Sequence, residues 1–162
     1  MKELLLGKGA HAGTMACVED LSYETAAKHA PGMEHSVGQS VFHMNYWMEY
    51  ELKRICGERP AYPEHASESW PQGDCPRDAP EWDGLVKHLR ELLAEFDEMA
   101  GWSREELERQ VESAHEPDKK LAATVESVLW QLIAHNSYHV GQIVMARQAQ
   151  GAWPPRAGGD TW

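Results

Sequence analysis

The sequence predicts an all-α fold, a four-helix bundle with one long crossover connection between the second and third helices. Three observations predict it. No segment shows sustained alternation of β-branched residues, apolar residues recur at three- and four-residue spacing through several long segments, and capping residues, Gly and Pro punctuate those segments. At 162 residues the chain is long enough for one substantial core and reads as a single domain over 1–162.

A first helix is expected over about residues 10–29, from the spacing of Thr14, Cys17, Val18 and Leu21, with a break near Asp20-Leu21-Ser22 and a stop at Pro31-Gly32. The second helix has a clearer start. Ser36 and Gln39 stand at capping-box spacing, Val37, Val41, Met44, Met48, Leu52 and Ile55 share a face, and Cys56-Gly57 ends the run. Residues 58–80 hold five of the nine prolines, together with Gly73, Ser67 and Ser69, so they form a long connection whose Trp70-Pro71 is expected to pack down onto the bundle. The third helix carries Trp82, Leu85, Val86, Leu89, Leu92, Leu93, Phe96 and Met99 at helical spacing as far as Gly101, with Glu81, His88, Glu91 and Glu95 on the opposite face. Ser103 and Glu106 are spaced to cap a short extra helix. Glu116-Pro117-Asp118 then turns the chain into a last helix over about 119–150, ended by Gly151. The tail has no period, but Trp153 and Trp162 predict that it is anchored.

Charge and cysteine usage exclude several classes. The net charge is −11 and the basic residues form no run, which disfavours nucleic acid as a partner. The apolar stretches are too short for a membrane span, and the Leu4-Leu5-Leu6 stretch near the N-terminus is too short for a signal peptide, so the expectation is a cytoplasmic protein with no membrane partner. Cys17, Cys56 and Cys75 are odd in number and widely spaced, the pattern of reduced thiols, and Cys75, among Gly and Pro, is expected to be the exposed one.

The chemistry is concentrated in the last helix. Its core seam runs Leu121, Val125, Val128, Leu132, and the same alternation then lands on His135, His139, Gln142 and Ala146. Two imidazoles thus occupy positions where a bundle wants leucines. Burying them costs free energy unless each finds a partner, and a divalent cation satisfies both at once. A His-Glu-x-x-His zinc-protease motif is excluded, because Asn136 stands where the general base belongs. A third ligand must come from another helix. His88 lies on a charged face, His65 and His115 sit in connections, His29 and His35 flank Pro31-Gly32, and His11 is poorly placed. His43 lies in the middle of the second helix, with Trp47 and Tyr50 following on its side, but off the centre of the Val41/Met44/Met48 stripe. Periodicity alone therefore leaves its role undecided.

Three stretches together carry a family resemblance: the run from Glu34 to Trp47 with His43 within it, the late His135-x3-His139-x-Gly141-Gln142-Ile143, and the closing Gly151-Ala152-Trp153-Pro154-Pro155. They resemble the DinB-like superfamily, from the second helix to the tail. The resemblance implies a four-helix bundle, often a homodimer, in which His43, His135 and His139 bind a divalent metal, zinc or nickel first and iron or manganese next. Its members include thiol S-transferases using a low-molecular-weight thiol, so the first expectation is a metal-dependent transferase acting on a small-molecule substrate. The alternatives are a non-catalytic metal or small-ligand binding stress protein and a metal-dependent hydrolase.

Three neutral imidazoles leave the charge of a divalent ion uncompensated, so a water of lowered pKa or an anionic thiolate can take the open position. Gln142, one turn beyond His139, is a candidate to orient that water or the substrate, or to bond across helices as a buried amide. Trp47 and Tyr50 are candidates to wall a substrate pocket. No carboxylate is identifiable as a general base.

Overall fold

Ser36 opens the longest run of well-packed sequence. Its Oγ accepts from the Gln39 N–H at 3.1 Å while Gln39 Oε1 accepts from the Ser36 N–H at 2.9 Å, a reciprocal cap that satisfies two donors at the helix start. A computed structural model describes residues 1–111 and 123–158. Among them the elements are α1 (Lys2–Leu5), α2 (Tyr23–Ala27), α3 (Val37–Ile55), a 3₁₀ turn Ala66–Ser69, α4 (Ala79–Met99), α5 (Arg104–Glu108) and α6 (Val125–Ala149). No strand occurs among the described residues; extended pairing is limited to an isolated bridge between Gln110 and Thr124. The protein is all-α.

Local chemistry accounts for the helix limits. Asp78 accepts from the Glu81 N–H and Pro80 lies in the first turn of α4, where a missing N–H costs nothing. Ser103 and Glu106 cap α5 reciprocally, as their spacing predicts. The three long helices pack α3 against both α4 and α6. Val41, Met44 and Met48 of α3 meet Leu89, Leu93 and Phe96 of α4 and Leu129, Leu132 and Ile143 of α6 in one buried cluster. Each such side chain contributes roughly 1.5–3 kcal/mol by leaving water.

Residues 10–21 of the expected first helix form turns rather than helix, while the break expected near Asp20-Leu21-Ser22 is where α2 begins. Gly7 and Gly9 turn the chain in the left-handed region (φ 84° and 76°), and Ser22 caps a new start at α2. The carbonyl of Cys17, which a continuous helix would use internally, instead accepts from the buried Arg147 guanidinium at 2.7 Å. Cys17, Val18 and Leu21 are nonetheless buried, so their spacing signalled burial rather than helix. The last helix begins at Val125, not near 119, because Thr124 takes an extended conformation and caps it with Ser127. Leu121, the Glu116-Pro117-Asp118 turn, His115 and Trp162 lie outside the described residues.

Arg147 of α6 also ties down the tail. It donates to the Ala152 carbonyl at 2.8 and 2.9 Å and to Asp20 Oδ1 at 2.8 Å, with the Trp153 ring 5.7 Å away, and Asp20 Oδ2 accepts from the Arg156 N–H. These bonds hold the Asp20 carboxyl below its ordinary range although burial opposes them. The N-terminal segment, α6 and the tail are joined at one guanidinium.

All three cysteines are free, but Cys75 is buried and Cys56, just past α3, is the exposed one. The reason is the close seating of the connection on α3. A Cβ at Gly38 would overlap Pro76 Cδ and lie 2.5 Å from the Cys75 carbonyl oxygen, which accepts from Ser36 Oγ at 3.0 Å. Burial pushes the thiols of Cys17 and Cys75 up to about 11, so neither ionises readily. Among the described residues no helix is long and apolar enough to cross a membrane.

Candidate metal centre

The α6 seam places Val125, Val128 and Leu132 in the core and continues into His135, half-buried, and His139, buried. From α3, His43 meets them: it is 7% exposed although it lies off the centre of the α3 stripe. One ligand atom from each of His43, His135 and His139 lies within 4.8 Å of the others, and this is the group able to hold an ion among the described residues. The His43 and His135 Nε2 atoms are 3.3 Å apart.

On each ring it is Nδ1 that meets an oxygen. His43 Nδ1 is 3.1 Å from the Ser69 carbonyl, His139 Nδ1 is 2.7 Å from Gln142 Oε1, and His135 Nδ1 is 3.3 Å from Asn136 Oδ1. A carbonyl oxygen can only accept, so the Ser69 carbonyl fixes the Nδ1–H tautomer of His43, and the two amide oxygens do the same for His139 and His135. Each Nε2 then presents a lone pair. Two lone pairs facing each other across 3.3 Å repel, and a cation between them removes the repulsion. That separation is also about what two nitrogens show when each is 2.0–2.1 Å from one tetrahedral ion. The donor set fits a divalent metal, with carbonyl and amide oxygens behind the rings as ligand imidazoles require.

The rings are neutral before any ion arrives. Burial, then the neighbouring imidazoles, bring His43 and His139 down from 6.5 to about 4, and burial lowers His135 as well. Neutral imidazole is the form that ligates.

The remaining candidates separate. Gln142 reaches neither across helices nor into open space; it holds the ring of His139 one turn earlier on the same helix. Trp47 stands edge-on to His43 with ring centres 6.4 Å apart, and Tyr50 joins it at 5.4 Å in an aromatic group that continues to the exposed Tyr62. His65 and His29 are exposed, and His88 is half-buried and faces Glu49 at 3.6 Å. His11, partly buried, bonds the Ser137 hydroxyl at 2.9 Å and is not part of the three-histidine group.

His35 and Trp70 were not among the expected site residues. Trp70 does pack down as its position in the connection suggests, and it lands face to face on His43, ring centres 3.9 Å apart and planes at 10°. His35 stacks on its other face at 3.6 Å and 12°. The proline-rich connection and the segment after the Pro31-Gly32 turn thus deliver rings to the site.

The family model of the DinB superfamily matches residues 8–143, a span that includes all three histidines. No curated protein and no solved structure matches the chain.

Proposed function

The chain belongs to the DinB superfamily, and on that premise we propose that His43, His135 and His139 hold a divalent cation, zinc or nickel before iron or manganese, in a metal-dependent enzyme that joins a low-molecular-weight thiol to a small electrophile. The observation that carries the reading is the grouping of His43, His135 and His139, with one ligand nitrogen from each within 4.8 Å of the others and an oxygen at Nδ1 of every ring. A divalent ion bound there supplies Lewis acidity and favours an anionic partner, since all three ligands are neutral. The protein's own contributions are positional. Ser69, Gln142 and Asn136 fix ring orientation, and Trp47, with Tyr50 behind it, offers an apolar flank to a substrate.

A thiol needs no general base once its proton is lost to solvent, which suits a cluster made of imidazoles. Hydrolysis fits less well, because the imidazole nitrogens not facing the cluster are occupied by oxygens. In this reading the 162 residues act as one domain, with the 1–30 segment completing a four-helix-type arrangement around the long crossover from α3 to α4. The homodimer common in the family has a suitable surface on α6, where Trp130, Tyr138 and Met145 are exposed on a helix with no formal charge between Glu126 and Arg147.

The test is turnover of a model electrophile with a panel of cellular thiols. Metal-loaded protein is expected to show thiol-dependent turnover that chelation abolishes and re-addition of one ion restores. Stoichiometric metal binding without turnover on any thiol would leave a non-catalytic metal-binding protein; turnover with water alone would favour a hydrolase.

A further inference from the structure

We propose that Trp70 is the positioning residue that presents His43 to the ion, so that the centre is completed by the connection between α3 and α4 and not by the helices alone. This rests on the metal reading above. His43 lies off the apolar stripe of α3, where the helix itself does little to fix its ring. What fixes it comes from residues 69 and 70: the Ser69 carbonyl accepts from Nδ1 at 3.1 Å, and the Trp70 indole lies flat on the imidazole at 3.9 Å.

The indole is held in turn from outside, because His35 stacks on its opposite face at 3.6 Å. The three near-parallel rings His35, Trp70 and His43 form a short stack. The same indole stands edge-on to His139 with centres 5.9 Å apart, so it touches two of the three ligands. Flat stacking removes rotation of His43 about its side-chain bonds, and orienting contacts behind a ligand typically alter metal affinity about 10–100-fold. An imidazole that donates its lone pair to a cation becomes electron-poor, and the electron-rich face of indole then holds it more strongly. Trp70 should therefore favour the metal-bound protein over the metal-free one.

The experiment titrates Co(II) into the full chain, followed by visible absorption and by quenching of tryptophan emission. Trp70→Leu keeps an apolar side chain but cannot stack, and is expected to bind Co(II) about tenfold more weakly or worse. Trp70→Phe keeps a flat ring and should stay within about threefold of the parent, while losing the part of the quenching that arises at position 70. His35→Ala, which removes only the outer ring, should weaken binding in the same direction by a smaller factor. Metal-free melting is measured for each, since a purely structural tryptophan would lower melting without separating Leu from Phe in affinity. A parent that binds no Co(II) overturns the metal reading and this inference with it. A parent that binds, with Trp70→Leu binding equally well, overturns this inference alone. If Trp70→Leu does not fold, His35→Ala decides: affinity equal to the parent's overturns the proposal.

Discussion

Acid should unfold the metal-free protein through the site itself. His43 and His139 titrate near 6.5 in an unfolded chain and at about 4 in the folded one, because burial and the neighbouring rings disfavour the charged form. The sign follows from proton counting. Between these values the unfolded state binds protons that the folded state refuses, so stability is complete above about pH 6.5 and falls as pH drops towards 4, below which no further loss arises from these rings. At about 1.4 kcal/mol per pH unit, lowering pH from 6.5 to 4.5 costs close to 3 kcal/mol for one such ring; residual solvent access and coupling among the rings reduce this to about 2. Two rings together then remove about 4 kcal/mol from a total of the order of 5–15. The assay is urea unfolding of chelator-treated protein at several pH values, followed by tryptophan emission. Carboxylates titrate over part of the same range, so the informative quantity is parent minus His139→Leu at matched pH. That difference should fall by about 2 kcal/mol, in the variant's favour, between pH 6.5 and 4.5. A difference that stays constant over the window would refute the reasoning, because it would mean that His139 takes up its proton without cost in the fold.

The same variant tests ligation: His139→Leu should lose its stoichiometric metal, read by elemental analysis, while its helicity persists and its metal-free stability at pH 7 stays within about 1 kcal/mol of the parent's or exceeds it. Gly38→Ala should destabilise by about 1–3 kcal/mol in urea titration, since the new methyl meets the Cys75 carbonyl and the Pro76 ring rather than a yielding side-chain end. Arg147→Met should cost about 3–5 kcal/mol, because it strips partners from Asp20 and from the Cys17 and Ala152 carbonyls at once; amide exchange should rise in both the N-terminal segment and the tail. Sedimentation of the parent and of a Tyr138→Lys/Met145→Glu variant tests the α6 face. A dimeric parent and a monomeric variant are expected, whereas a monomeric parent removes the homodimer from the proposal.

What was legible in the sequence was whatever depends on neighbours along the chain. Ser36 with Gln39, Ser103 with Glu106, and the stripes of α3, α4 and α6 are contacts over three or four residues, and helix geometry alone brings them together. The His135 and His139 pair was legible for the same reason, as two polar rings breaking an apolar seam. The failures lie where a distant group competes for the local one. Cys17 to Leu21 have helical spacing, yet Arg147, 130 residues later, takes the Cys17 carbonyl. Cys75 sits among turn formers, yet Gly38 lets its backbone press onto α3. No periodicity announces that Trp70 will meet His43, since the path of a connection is set by tertiary packing.

The oxygens behind the rings separate a metal centre from a polar patch in a core. Three buried histidines can satisfy one another if their tautomers alternate, each N–H pointing at a neighbour's lone pair; such a cluster is neutral, closed and indifferent to cations. Here the alternation is blocked. Ser69, Gln142 and Asn136 each place an acceptor at Nδ1, so the proton sits on Nδ1 and the lone pair on Nε2 in all three rings. A core that needed only neutrality would leave at least one ring free to turn its N–H inward, most simply with an apolar residue in place of Gln142. The amide at that position therefore has a cost in a metal-free fold and a use in a metal-bound one, since it fixes the tautomer that a cation requires.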